Sequence, residues 1–493
     1  MTIVKLPARK VRRPVHEAVH KLNLNAVERC KLRHIAVAIV EAKRAVAIEP
    51  NSKELWANLA TFFWNARQYD EAMACCDRAL RLDPNYYIAF FNKALICESL
   101  NCCAEAEGWY AKALIEKSDE GPDERSNIRR CRGMMRLALG EYLEGFADYE
   151  ARIPYAREQG RSTYPHFPAP YWDGMADLKG KRVFACIEQG IGDTILFSRF
   201  LPWLKRQISS AGKLGKLYLC CEHQIMILLW EFVREGVVEW LPEGVDIPEC
   251  DYSIVLGSLP HFSGCTIETL PLDLGYIRKR VDTQMRIGKA LVPDAPDPDA
   301  YRVGICWTGN PLQERNDERT IPLELMLPLA DHPHVWLYSL QAQGSAELER
   351  LGATDIVCDL GPQLKARGLT VAATAILQMD LVVTSCTSIA HLCGALGLEA
   401  WVVLCNYPYW VWGRDRCESA WYPSLKLYRQ SGVDDWKEVM GRVRDDLIDR
   451  VDARRSLPGQ RHHRRFQDGQ FGNGDLCGSQ PYLGIREGGR LAD

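Results

Sequence analysis

The spacing of bulky and small apolar residues divides this chain into two kinds of structure. In residues 53–118 these positions recur with a period of 34 residues, so that Trp56 aligns with Phe90. Large residues at such a period fill the space between two helices, and alanines mark places where helix backbones approach closely. From Val183 onward, short apolar runs alternate instead with amphipathic segments. The pattern predicts an all-helical first third followed by α/β structure.

The helical part has the pattern of tetratricopeptide repeats. The clearest copy carries the characteristic residues Trp56, Leu59, Ala60, Phe63, Ala72, Ala79 and Pro84. The next copy is weaker, with Lys93 at a normally apolar position and Ser118 in place of the proline. Degenerate units on both sides bring the total to about four, over residues 1–160. Stacked units form an α-solenoid whose concave face binds a peptide or protein partner. A structural spacer or a dimerisation element is the alternative.

A Pro- and Tyr-rich join at 165–172 precedes two predicted α/β halves, residues 165–292 and 299–452. The predicted strands are Val183–Ile187, Leu217–Cys221, Val238–Leu241, Tyr252–Leu256, Val303–Trp307, Val335–Ser339, Leu381–Val383 and Ala400–Leu404. The predicted helices include Thr194–Gln207, Ile225–Glu235, Leu323–Leu329, Thr374–Gln378 and Ile389–Leu396. This alternation predicts two doubly wound parallel sheets with a nucleotide-binding cleft between their strand ends.

The most informative motif is the loop 188–194, between the first predicted strand and its helix. Gly190 and Gly192 let the backbone approach a ligand closely, with N–H groups pointing outward at a helix N-terminus. Gln189 belongs to the same turn. Asp193 stands at the start of the helix, where its carboxylate either acts on a substrate or caps the helix.

A turn in the second half offers another candidate ligand contact. It follows the first strand of that half and contains Thr308, Gly309 and Asn310, with Arg319 shortly after. An arginine near such a turn can bind a diphosphate through paired donors. Arg315, in contrast, is expected to lie in a solvated loop.

A second turn in that half contains Ser385, Thr387, Ser388 and His391, between a buried strand and a helix. Its hydroxyl groups and the N–H groups of the helix N-terminus suit a phosphate. The alternatives are a well-capped helix and, for His391, a histidine packed in the core.

Composition narrows the classes of function. The net charge of −3 gives no excess of positive charge, so no nucleic-acid partner is predicted. No apolar run approaches the ~20 residues that cross a membrane, and the N-terminus lacks the apolar core of a secretory signal. The 19 cysteines show no C-x-x-C spacing, which is typical of reduced core residues. These features predict a cytoplasmic protein without a transmembrane segment.

Taken together, the motifs resemble bacterial glycosyltransferases that contain tetratricopeptide repeats and are related to the ADP-heptose:lipopolysaccharide heptosyltransferases. The resemblance extends from about Trp56 to Gln430. It rests on the order of seven motifs: Tyr171-Trp172-Asp173-Gly174, Glu188-Gln189-Gly190-x-Gly192-Asp193-Thr194, Ser258-Leu259-Pro260, Trp307-x-Gly309-Asn310, Arg319-x-Ile321-Pro322-Leu323, Thr384 to Leu392, and Trp421-Tyr422-Pro423-Ser424.

The resemblance implies a GT-B fold and the inverting, metal-independent transfer of a sugar from a nucleotide-diphosphate donor, which is a co-substrate and not a cofactor. It makes Asp193 the general base. It assigns the diphosphate to Thr387, Ser388 and His391, with Thr308 and Arg319 opposite. One position departs from the family, because Cys386 stands where many relatives carry aspartate.

The leading hypothesis is therefore a glycosyltransferase whose repeat arm recruits a protein or glycan acceptor. The alternative is a scaffold in which the GT-B part has lost activity and the repeats mediate protein–protein interaction. A nucleotide-dependent oxidoreductase is disfavoured, because neither glycine turn is a full G-x-G-x-x-G motif. The aromatic stretch 407–412 either covers the cleft or packs between domains. From 453 onward, a basic cluster and a Gly-rich segment predict a disordered tail.

Overall fold

The computed structural model describes residues 14–116, 122–158, 167–210, 213–272, 275–277, 292–313 and 315–456. The repeat arm consists of helices α1 (Pro14–Lys31), α2 (Ile35–Ile48), α3 (Lys53–Asn65), α4 (Tyr69–Leu82), α5 (Tyr87–Ser99), α6 (Cys103–Glu116), α7 (Pro122–Leu139), α8 (Tyr142–Tyr149) and α9 (Arg152–Glu158). The first eight pack as four successive antiparallel pairs. The four hairpins confirm the predicted solenoid. The alanines predicted at close helix contacts, Ala60, Ala72, Ala94 and Ala106, are completely buried.

The turn inside each hairpin has the same backbone conformation. A residue with positive φ follows the first helix of every pair: Arg33 (60°), Arg67 (57°), Asn101 (63°) and Gly140 (89°). Only the fourth hairpin uses glycine, the residue that adopts this left-handed conformation without steric cost.

Replacing Arg33 by glycine should therefore stabilise the arm by about 1 kcal/mol, because it removes the left-handed strain. The side chain contributes little in return, since its ion pair with Asp317 joins side chains that are 78% and 77% exposed. Differential scanning calorimetry should show a midpoint raised by ~2–4 °C. Arg33→Ala is the matched control: it removes the same side chain but keeps the strain, so a rise in both variants would contradict this explanation.

The α/β part contains two parallel sheets. The strands of the first sheet are β1 (Arg182–Cys186), β4 (Lys216–Cys220), β5 (Glu239–Leu241) and β6 (Tyr252–Val255), while β2 (Ser209–Ser210) and β3 (Lys213–Leu214) form a separate antiparallel pair. The strands of the second sheet are β7 (Tyr301–Cys306), β8 (Val335–Ser339), β9 (Val357–Asp359), β10 (Leu381–Ser385), β11 (Ala400–Leu404) and β12 (Leu425–Arg429). The helices are α10 (Ile191–Ser198), α11 (Leu201–Ile208), α12 (His223–Arg234), α13 (Leu259–Phe262), α14 (Asn316–Arg319), α15 (Ser345–Arg350), α16 (Gly361–Arg367), α17 (Leu369–Ile376), α18 (Ser388–Ala395) and α19 (Trp436–Arg455).

The strand order of both sheets is that of a dinucleotide-binding fold. The first sheet runs β5-β4-β1-β6 and the second runs β9-β8-β7-β10-β11-β12, so each has its first strand inside the sheet. The chain thus reverses its direction of growth next to β1 and next to β7. In such sheets ligands bind beyond the carboxyl ends of the strands, at this reversal point. The predicted fold class, a helical solenoid followed by two Rossmann-like α/β halves, is confirmed.

Two predicted helices are wrong in detail, and prolines explain both. The segment 194–207 forms two helices, α10 and α11, with Pro202 in the first turn of the second. The segment 323–329 forms two short 3₁₀ turns, with Pro328 at the start of the second. Because proline lacks an N–H group and clashes with the preceding turn, it is accepted at a helix start and not in its interior. Strands β2, β3, β9 and β12 were not predicted.

The arm is docked on the α/β part through the turns of its hairpins. Arg315 pairs with Glu98 at 3.4 Å, and the Asn406 amide donates to the Ser99 carbonyl at 3.3 Å. Arg67 pairs with Asp434. Arg315 is therefore a docking residue held between two carboxylates, Glu98 and Glu318, and the prediction of a solvated loop is wrong for it.

Aromatic rings pack at the junction between the arm and the α/β part, farther along the arm. Phe146 of α8 lies 5.6 Å from Trp410 and 6.4 Å from Trp421, ring centre to ring centre. The Trp421 indole donates to the Tyr142 hydroxyl at 2.8 Å. Of the two interpretations of the aromatic stretch, packing between domains applies to Trp410.

The last helix, α19, ends at Arg455, so the boundary predicted after residue 452 falls inside it. The rest of the predicted tail, residues 457–493, lies outside the described residues, as do residues 165 and 166 of the predicted join. Within the described ranges, none of the helices is long and apolar enough to cross a membrane.

Candidate functional site

The two α/β halves meet where helix α10 faces helix α18. These helices follow β1 and β10, which lie at the reversal points of the two sheets. Their approach is so close that a Cβ atom on Gly192 would lie 2.8 Å from Cδ2 of His391. Glycine is required at 192 for this reason, and two motifs almost 200 residues apart in sequence become one site.

Asp193 lies at the centre of this site. Gly190 is the N-cap of α10, which makes Asp193 the third helical residue, and its carboxylate accepts the backbone N–H of Gly190. In a capping box, the side chain of the third helical residue accepts the backbone N–H of the N-cap residue in this way. The Tyr409 hydroxyl donates to Oδ1 of Asp193 at 2.9 Å. Asp193 therefore caps the helix from its third position and is not the N-cap residue itself. This contact leaves the second role open, because Asp193 remains partly accessible to solvent.

The surroundings of Asp193 change its acidity. Burial of the carboxylate raises its pKa from 3.8 to about 6, and the nearby Glu188 carboxylate adds to the rise. The hydrogen bond from Tyr409 and the Arg319 cation act in the opposite direction, because both favour the charged form. A carboxylate with a pKa near 6 is a stronger base than an ordinary aspartate and is still largely ionised at neutral pH.

The rest of the glycine loop is held by the repeat arm. The Gln189 amide donates to the Tyr149 hydroxyl of α8 at 2.9 Å. Glu188 is buried and pairs with Arg152 of α9, whose Nη2 lies 2.9 Å from Oε1. Gly190 itself is exposed, and its carbonyl accepts from the N–H of Thr194. The loop thus presents accessible backbone on one side and is fixed by arm residues on the other.

The turn after β7 forms a compact polar network. Asn316 links its parts: its amide donates to Thr308 Oγ1 at 3.0 Å, and its carbonyl accepts the N–H of Gly309 at 3.1 Å. Arg319 packs directly against Gly309, so a side chain at that position would collide with the guanidinium group. Asn310 is exposed at the end of the turn, where its side chain accepts the N–H of Leu312.

Arg319 connects this turn with the one after β10. Its Nη1 donates to the Cys386 carbonyl at 2.9 Å, and its Nε donates to Asn316 at 3.0 Å. The side chain is partly exposed. The positive charge of Arg319 lowers the pKa of both Asp193 and His391. Arg319 therefore lies at the point where the three predicted motifs converge.

The turn after β10 offers donors to a ligand. Thr387 is the N-cap of α18, but its side chain forms no capping hydrogen bond. It lies instead 3.2 Å from Thr384 Oγ1, so the predicted alternative of a well-capped helix is wrong at this residue. In the described part of the chain, Oγ of the buried Ser385 has no hydrogen-bond partner. Ser388, in the first turn of α18, is partly exposed.

His391 is a neutral, buried residue in this site. Burial and the cations of Arg199 and Arg319 lower the pKa of His391 to about 3. Its Nδ1 lies 3.1 Å from the Tyr422 hydroxyl, and its ring lies 5.2 Å from that of Trp412. His391 thus supports the Gly192 backbone and is not an exposed ligand contact.

Cys386 belongs to the core. Its Sγ accepts a hydrogen bond from the Trp412 indole at 2.9 Å, and burial raises the pKa of its thiol. The neutral thiol therefore fits beside an indole where a carboxylate would have to be desolvated.

The predicted site residues consequently fall into two groups. The accessible group lies along the crevice and comprises Gln189, Gly190, Gly192, Asp193, Thr308, Gly309, Asn310, Arg319 and Ser388; the buried group behind it comprises Ser385, Thr387 and His391. Sequence reasoning missed Tyr149 and Arg152, and it left Tyr409 undecided. For these residues the sequence holds little signal, since they lie far from the motifs that they contact. Among the described residues, none of the His, Cys, Asp and Glu side chains cluster in a way that could hold a metal ion.

Comparison with known proteins identifies the arm. The Tetratricopeptide repeat family model matches residues 54–86. The protein FlbA from Caulobacter vibrioides is 27% identical over 445 residues, which cover 85% of this chain and 72% of that protein. An O-GlcNAc transferase variant from Thermobaculum terrenum aligns with 90% of this chain and 94% of its own at 11% identity and a TM-score of 0.32. A MamA crystal structure aligns with 29% of this chain and 81% of its own at 17% identity and a TM-score of 0.25. The tetratricopeptide prediction is confirmed.

Proposed function

We propose that the protein is an inverting glycosyltransferase that moves a sugar from a nucleotide-diphosphate donor to an acceptor hydroxyl. The observation that carries this proposal is the position of Asp193, a partly exposed residue whose carboxylate has its pKa raised by burial to about 6, at the reversal points of two Rossmann-like sheets and close to Arg319. A base, a cation and a helix N-terminus in one crevice are the groups that this transfer requires.

In the proposed reaction Asp193 accepts the proton of the acceptor hydroxyl. The acceptor oxygen forms a bond to the anomeric carbon as the bond from that carbon to the diphosphate oxygen breaks, with inversion. The backbone of Gly190 and Gly192 leaves room for the acceptor beside the carboxylate. Tyr409 and the Gly190 N–H hold the Asp193 carboxylate in a fixed orientation for this step.

The departing nucleotide diphosphate gains negative charge during this step. Arg319, the N–H groups at the start of α18 and the hydroxyl of Ser388 would stabilise that charge. The free hydroxyl of Ser385 is a further donor for a phosphate oxygen, if the first turn of α18 adjusts. Thr308 and Asn310 would line the opposite wall. These groups allow the reaction to run without a metal ion, as the heptosyltransferase resemblance implies.

The arm would recruit the acceptor, a protein or a glycan. Because the solenoid is docked on the α/β part through Glu98 and Arg67, an acceptor bound to it is held near the crevice at a high effective concentration.

Calorimetric titration with UDP, GDP, ADP and CMP, and with their common sugar conjugates, tests the donor site. We expect one nucleotide to bind saturably and Arg319→Ala to weaken its binding about tenfold or more, because a charge-assisted hydrogen bond to phosphate is lost. Arg350→Ala is the matched control, since that side chain is 61% exposed on the same half. It should bind as the wild type does.

The second candidate function is a scaffold without transferase activity. The observation that favours it is the contact between Cys386 and Trp412, which fills the position of the family aspartate. If a folded wild-type protein binds none of the nucleotides, the scaffold replaces the transferase as the proposed function.

A further inference from the structure

The repeat arm contains an apolar cavity that the candidate site does not use. It has a volume of about 500 Å³ and lies between α2 and α4, the second helices of two neighbouring hairpins, with α3 as its floor. The lining includes Val46, Trp56, Leu59, Phe63 and Cys75. This volume is within the range of ~300–1,000 Å³ that is usual for ligand pockets.

The next hairpin shows why the cavity is open. One repeat farther along, Phe90 takes the place of Trp56 and Trp109 takes the place of Cys75. There the Trp109 ring stacks on Phe90 with ring centres 5.8 Å apart. The indole of Trp109 therefore fills the space between neighbouring hairpins. At the equivalent place between α2 and α4, the much smaller Cys75 leaves that space empty.

A lysine lies beside an aromatic ring at both places, although these lysines are not at equivalent positions of the repeat. Lys93 and Lys112 each lie 4.2 Å from the centre of the Trp109 ring, where cations are attracted to an aromatic face. At the open cavity, Lys43 lines the wall and its Nζ lies 5.2 Å from the Phe63 ring. An aromatic ring placed in the cavity would find both an apolar floor and a nearby cation.

Apolar surface continues from the cavity along α2. Val40 lies one turn before Lys43 on the same side of the helix and is 49% exposed, and Val37 is 47% exposed. An exposed apolar stripe beside a cavity is typical of a surface that binds a longer chain, because the residues on either side of an anchor then pack on the stripe.

We propose that this cavity binds an aromatic side chain presented by a peptide segment of a partner protein. The partner's ring would stack on Trp56 as Trp109 stacks on Phe90, and its neighbouring apolar residues would cover Val40. The internal comparison of two hairpins of the same chain carries the inference. It is independent of the proposed transferase activity, since the cavity and the crevice share no residue.

The test uses the full chain and a fluorescein-labelled 16-residue alanine-based helix that carries one tryptophan, one leucine or no large residue. Fluorescence anisotropy should show the tightest binding for the tryptophan peptide, at least tenfold tighter than for the peptide without a large residue. Equal binding of all three peptides, or none by any of them, would overturn the proposal.

Cys75→Trp should abolish this binding, because it fills the cavity with the residue that already occupies the equivalent place at 109. Cys102→Trp is the matched control, since it makes the same exchange at an exposed cysteine of the arm. If the first variant unfolds, Ala74→Arg blocks the mouth from a more exposed wall position instead. Binding retained in a folded blocked variant would contradict the assignment.

Two other occupants are distinguished by further measurements. A wild-type dimer that becomes a monomer in Cys75→Trp, measured by analytical ultracentrifugation, would identify a second copy as the occupant. Binding that appears only after deletion of residues 1–13 would identify the chain's own N-terminal segment. Either result would overturn the proposal of a separate partner.

Discussion

Replacing Asp193 by asparagine should lower the turnover number about 10²–10⁴-fold, the range that a general base contributes. Asparagine keeps an oxygen that can accept from Tyr409 but cannot take a proton from an acceptor hydroxyl. The variant should therefore fold and bind the donor nucleotide as the wild type does. Turnover with the nucleotide sugar identified by calorimetry, with circular dichroism as the check on folding, measures the effect.

The pH dependence gives this prediction a second measurement. Since burial raises the pKa of Asp193 to about 6, the basic form is lost as the pH falls through that value. Log kcat/KM of the wild type should fall with unit slope below about pH 6 and level off above it, and the asparagine variant should lack this limb. A variant that turns over at the wild-type rate would remove Asp193 from the mechanism.

Replacing Arg152 by methionine should destabilise the protein by about 3–5 kcal/mol, the cost of leaving one partner of a buried ion pair uncompensated. The side chains of Arg152 and Glu188 are 4% and 1% exposed, and Nε and Nη2 of Arg152 both donate to the same carboxylate oxygen, at 3.1 and 2.9 Å. Burial already raises the pKa of Glu188. Urea unfolding monitored by circular dichroism would detect the loss.

The double variant Arg152→Met with Glu188→Gln separates the charge from the packing. If the destabilisation comes from the orphaned carboxylate, the neutral glutamine should recover part of the lost stability. An equal loss in both variants would assign the effect to packing and to the contacts of Arg152 with Glu150 and Ser258. The comparison also reports on the site, since Glu188 begins the glycine loop.

The sequence predicted helices and strands best where a regular pattern of apolar residues marks each element. The 34-residue period predicted the hairpins because the same residue types fill the same interhelical spaces in each one. Eight predicted strands correspond to strands of the structure within two residues at each end, since long apolar runs in parallel sheets are buried on both faces. Strand β9 was not predicted; Val357–Asp359 is three residues long and ends in a charged residue, so it forms no apolar run.

The site was predictable only in part, and for a physical reason. Residues next to strand ends could be located, because the carboxyl ends of parallel strands meet at one edge of a sheet. Arg319 and Asp193 were predicted from their positions after strand ends, and in the structure the Arg319 cation acts on the Asp193 carboxylate. Tyr409 comes from another strand connection, and Tyr149 from the arm, so neither has a sequence relationship to the loop that it contacts. Such contacts depend on how the arm and the two halves dock.

The sequence by itself determined the elements and their class: helical hairpins whose small residues permit close packing, and apolar strands whose glycine turns expose backbone donors. Tertiary structure determined the acidity and the hydrogen-bond partners of the candidate site residues. Only in the folded chain do burial and the Glu188 carboxylate raise the pKa of Asp193, and only there does Tyr409 lie beside it, since acidity depends on the groups and the solvent around a carboxylate. Local pattern is encoded over a few residues, whereas an electrostatic environment is built from segments that meet only in the folded chain.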